Sequence, residues 1–111
     1  MSTHPPSLAA LIELLDPEGA KRFLAFAQPT IQQYQHDLLT SLQQQDWETA
    51  AAIAHRFTAT AHLYSPAALA HQLDIISAKQ LQTLQQADFL PRLMLEFQLL
   101  EESIAAFLKE P

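Results

Sequence analysis

The chain has 111 residues, enough for one hydrophobic core and too few for two, and its 49% hydrophobic content excludes a disordered chain. Six Lys plus Arg against twelve Asp plus Glu give a formal net charge of −6, which leaves no basic stripe for a nucleic-acid backbone. With one Gly, no Cys and abundant Ala, Leu and Gln, the composition favours helices and excludes disulfides and thiolate metal sites. No apolar run approaches the length of a membrane span, and the opening MSTHPPS lacks a charged-then-apolar signal. A cytoplasmic protein without membrane contact is therefore expected. Nothing alternates with period two, so the expected class is all-α.

Taken in order, residues 1–6 carry Pro5 and Pro6 and read as a flexible lead-in to a single domain over 7–111. Ser7 can cap a short helix with Leu8, Leu11, Ile12, Leu14 and Leu15 as its apolar residues. Asp16-Pro17-Glu18 reads as a second start, with a capping carboxylate and Pro at the first helical position. The apolar stripe Ala27, Ile31, Tyr34, Leu38 and Leu42 carries that helix forward, and Pro29 within it predicts a kink or a break.

Asp46 reads as the cap of a third helix, which frays near Leu63 or Tyr64. Ser65-Pro66 then reads as a capping hydroxyl before a fourth helix presenting Leu69, Leu73, Ile76, Leu81 and Leu84. Ala87-Asp88 marks a turn into the last helix, whose stripe is Phe89, Leu93, Leu95 or Glu96, Leu99 or Leu100, Ile104 and Phe107. Short connections make neighbours antiparallel, so the expected architecture is an antiparallel four-helix bundle with a short additional N-terminal helix.

The most informative stretch is Asp46–Ser77, DWETAAAIAHRFTATAHLYSPAALAHQLDIIS. At about 100° per residue, Ile53, Phe57, Thr60 and Tyr64 fall opposite His55, with Ala50 and Ala61 close behind. His55 shares its own sector with Glu48, Ala51, Ala52, Thr58, Ala59 and His62. An ordinary solvated face would carry Glu, Lys, Arg and Gln; here an imidazole stands on a platform of small residues that another protein can approach closely. The helix propensity of alanine accounts for the same run without any partner.

An exposed neutral imidazole is a nucleophile, a base or a metal ligand. Metal ligation is disfavoured, because His55 and His62 lie about 10 Å apart along the axis. His71 and Asp74 would supply only half a site. A serine-nucleophile arrangement has no strained G-x-S-x-G turn to rest on.

In register, this stretch resembles the histidine-containing phosphotransfer (HPt) domain of bacterial phosphorelays, whose motif has the form H-x-L-K-G-S-[SA]-x-x-[LY]-G-A-x-x-L. His55 matches the histidine, Phe57 the next apolar position, Thr60 the Ser and Ala61 the small residue, with Tyr64, Leu69 and Leu73 at later core positions. Thr58 stands in place of the family's Lys, Ala59 in place of its Gly, and Ser65 in place of its second Gly.

The resemblance implies a phosphoryl carrier without kinase activity of its own, in which His55 exchanges a phosphoryl group with aspartates of receiver domains. Ala51, Ala52, Arg56, Thr58, Ala59 and His62 would form the docking surface and phosphoryl environment. It implies no resident cofactor or metal, since Mg²⁺ comes with the receiver. The implied partners are a response-regulator receiver domain, a hybrid histidine kinase, or both, acting on a monomer. Two other readings stay open: an HPt-like module that docks a receiver or kinase without transfer, and an unrelated helical dimerisation domain.

Overall fold

The computed structural model describes residues 4–111, which form an all-helical chain of five elements: α1 (Pro6–Gln43), α2 (Trp47–Ala61), α3 (Ala67–Ser77), α4 (Leu81–Leu84) and α5 (Phe89–Leu108). Residues 1–3 of the expected lead-in lie outside the described residues. From His4 onward the chain is tied down. The His4 ring stands edge-on to Phe107 at 5.2 Å, and its Nδ1 lies 3.5 Å from the Glu110 carboxylate. Lys21 donates to the Glu110 carbonyl and sits over the Phe107 ring, which completes a clasp between the two ends of the chain.

The break in α1 falls at Asp16, where φ 60 and ψ 168 depart from helix, and not at Pro29. Asp16 Oδ1 accepts the Gly19 amide at 2.8 Å, so a true cap restarts the helix with Pro17 in its first turn. Gly19 leaves room for that restart, since a β-carbon there would lie 3.3 Å from the Leu15 β-carbon. Pro29 and Ala25, the residue whose carbonyl loses its partner, are both exposed, and the neighbours of Pro29 keep helical angles. Residues 17–43 then run about 40 Å at about 1.5 Å per residue, close to the 43 Å long axis of the molecule.

Asp46 Oδ1 accepts the Thr49 amide at 3.2 Å and caps α2 as its sequence implies. Ser65 does not cap α3. Pro66 occupies the cap position, α3 begins at Ala67, and the Ser65 hydroxyl is buried without a hydrogen-bond partner. The expected fourth helix also divides. It stops after Ser77, Lys79 takes a left-handed conformation (φ 53), and Leu81–Leu84 make a separate turn.

The helices close one core. α2 packs on both α3 and α1, α1 on α5, and α5 on α3, with α4 bridging the ends of α3 and α5. Phe57 lies at its centre, stacked on Tyr34 at 4.8 Å and Phe97 at 5.9 Å, with Tyr64 at 6.4 Å. Burying such a ring contributes about 1.5–3 kcal/mol through area alone. In α5 the buried stripe is Phe89, Leu93, Phe97, Leu100, Ile104 and Phe107. Phe97 takes the place expected for Leu95 or Glu96, and Leu95 and Leu99 are left exposed.

Candidate functional site

Helix α2 presents His55, and the burial of its neighbours sets where the ring points. The buried residues Ala50, Ala51, Ile53, Ala54, Phe57 and Ala61 span an arc centred about 130° from His55 at about 100° per residue. The arc is turned toward α3, because on the other flank Thr49, Ile53 and Arg56 line a groove of about 320 Å³ with His36, Asp37 and Thr40 of α1. That rotation corrects two expectations. Ala51 is only 7% exposed and is not part of an open platform. Thr60, expected in the core, is exposed at the α1 seam.

His55 is exposed, and among the described residues no side chain hydrogen-bonds or ion-pairs with it. Ala52 and Ala59, a turn to either side, are exposed as well. The open platform is thus His55 between two alanines, with Ala51 buried beside them.

The remaining members of the sector are occupied in other ways. The Thr58 hydroxyl donates to the Ala54 carbonyl at 2.7 Å, so where the motif would place a cation the side chain is turned back on its own helix. His62 Nδ1–H donates to the Thr58 carbonyl at 3.3 Å, which holds that ring against the end of α2 and leaves Nε2 outward. Arg56 lies in the α1 groove, on the flank away from α3. Glu48, two turns before His55 on the same face, accepts a 2.6 Å salt bridge from Lys79 at the end of α3. Sequence reasoning missed Lys79, since nothing in the spacing of a single helix shows which residue a neighbouring helix brings beside it.

Tyr64, in the turn that follows α2, has its phenol pKa pushed up to about 12 by burial, with a hydrogen bond to Thr60 pulling the other way and Tyr34 adding to the rise. It is a packing residue and stays protonated through the neutral range. Among the described residues no group of three or more His, Asp or Glu side chains is placed to hold a metal ion, and His71 and Asp74 are both exposed on α3. No helix of the described residues is long and apolar enough to cross a membrane.

Compared with protein-family models, curated proteins and solved structures, the chain matches none of them. The functional reading therefore rests on the residues and their geometry.

Proposed function

We propose that the protein is a phosphoryl carrier of the HPt kind, with His55 as the residue that accepts and passes on the phosphoryl group. In this reading α1 from residue 17, α2, α3 and α5 form the antiparallel four-helix bundle, and residues 6–15 are the additional short helix. The observation that carries it is the unpaired, exposed imidazole of His55 between the small exposed residues Ala52 and Ala59, turned away from the core of its own helix. Such a surface lets a second folded domain bring an acyl phosphate within bonding distance of the ring.

The chemistry asks little of this chain. The Nε2 lone pair of neutral His55 attacks the phosphorus of an aspartyl phosphate on the receiver. An N–P bond forms as the P–O bond to the aspartate breaks, the carboxylate leaves with its electron pair, and the ring proton on Nδ1 is lost to water. Mg²⁺ and the carboxylate belong to the receiver. The bundle contributes position, by holding the ring on a rigid helix with one core behind it.

Thr58 favours a second reading, docking without transfer, because its hydroxyl is committed to Ala54 and supplies no charge to a phosphoryl group. One experiment separates the two. The protein is mixed with a receiver domain carrying labelled aspartyl phosphate. An acid-labile, base-stable label that disappears in His55→Gln is expected. A receiver that binds while His55 gains no label would overturn the carrier reading in favour of docking alone.

A further inference from the structure

Thr58, on the face of His55, is turned back on Ala54 and carries no charge, so a cation that this chain itself places beside His55 has to be another residue. The chain has six Lys and Arg residues. Lys21 is taken up by the Glu110 carbonyl and the Phe107 ring, and Arg22 and Lys109 flank that clasp in sequence. Arg92 pairs with Asp88 on α5 at 3.2 Å, and Arg56 lies in the α1 groove. Lys79 alone is tied to the face of α2 that bears His55, through Glu48.

Three features make that attachment more than a surface pair. Lys79 follows the end of α3 in a left-handed conformation, φ 53, where the Lys79 amide bonds the Ile76 carbonyl at 3.0 Å and the Gln80 amide bonds the Ile75 carbonyl at 3.2 Å. This is the helix-ending position that glycine fills without strain, and here a lysine holds it. Second, the bridge to Glu48 brings the residue that ends α3 to the same face of α2 as His55, and Ala51, between Glu48 and His55 in sequence, is buried. Third, a helical side chain covers the turn N-terminal to its own Cα, which leans the His55 ring over Ala51 and Ala52, toward the end of α2 that carries Glu48. The Lys79 stem spans about 6 Å. Its partner Glu48 is 83% exposed, so the pair is weak and readily exchanged.

We propose that Lys79 is the cation of the phosphoryl site, exchanging the Glu48 carboxylate for the phosphoryl oxygens on His55. The proposal rests on the carrier reading of His55 and assigns its charge compensation to a neighbouring helix. Glu48 then acts as a parking site that holds the ammonium beside the platform while His55 is unmodified. Bond making and breaking are unchanged; Lys79 donates hydrogen bonds to the equatorial oxygens and undergoes no proton transfer.

The test follows label on His55 of the full chain with phosphoramidate as donor, which needs no docking partner, alongside urea unfolding of each variant. In Lys79→Gly the labelling rate is expected to fall about tenfold while the unfolding midpoint holds or rises, because glycine relieves the left-handed position. Lys79→Arg is expected to restore the rate to within about threefold, Glu48→Gln to raise it, and high salt to narrow every difference. A merely structural lysine would move stability and rate together, or neither. Labelling of His55 at the wild-type rate in Lys79→Gly overturns the role of Lys79 and leaves the carrier reading standing. Absence of label on His55 in every variant, wild type included, overturns both.

Discussion

Helix α2 has two faces that place opposite demands on a side chain. On one, Phe57 fills the space between Tyr34 and Phe97 with no surface left over, and Ala50, Ala54 and Ala61 bring α3 close. On the other, His55, Ala52 and Ala59 touch nothing that the fold requires. Small residues therefore serve two purposes within one run of alanines. Toward α3 they permit close packing between helices, and toward solvent they leave room for a visitor. A residue type alone does not tell these apart; the direction of the core does.

Truncations on the two faces give the sharpest contrast. Phe57→Ala is expected to cost about 3–5 kcal/mol, read from urea unfolding, since it empties the centre of an aromatic stack. His55→Ala should change stability by less than about 0.5 kcal/mol while abolishing the transfer proposed for it. Comparable losses for the two would mean that both faces are structural.

Alkaline titration probes the buried face more gently. The Tyr64 phenol ionises near 10 when unfolded and at about 12 when folded. Its contribution is complete below pH 10 and is lost as pH rises through 12, so the unfolding midpoint should fall over that window and fall less in Tyr64→Phe. The smallest effect belongs outside both faces. Gln45, like Lys79, ends its helix in a left-handed conformation, φ 58, with the Asp46 amide bonded to the Ser41 carbonyl at 2.9 Å. Gln45→Gly should stabilise by about 0.5–1 kcal/mol and leave labelling of His55 unchanged, which makes it the control for Lys79→Gly.

Much of this architecture was legible in residue order. Asp16 and Asp46 announce helix starts because a carboxylate at a cap has a local partner within three residues. The stripe Ile31, Leu38 and Leu42 was legible for the same reason: period and burial coincide on a single helix. What was hidden depends on the neighbours. Phe97 lies among so many leucines on α5 that several stripes fit the period, and packing on Phe57 selects one. The end of α3 was hidden because Lys79 ends it where the usual signal is glycine. The helical spacing placed His55 on the outside, yet it set the core opposite the ring, whereas the buried arc is turned round the helix and includes Ala51.

The clasp of His4, Lys21, Phe107 and Glu110 ties the beginning of α1 to the residues that follow α5. Fraying at either end deprives the other of its partners, so the two ends open as one cooperative unit. Opening the clasp is therefore expected to loosen residues 4–8 and 107–110 together, ahead of the aromatic stack around Phe57.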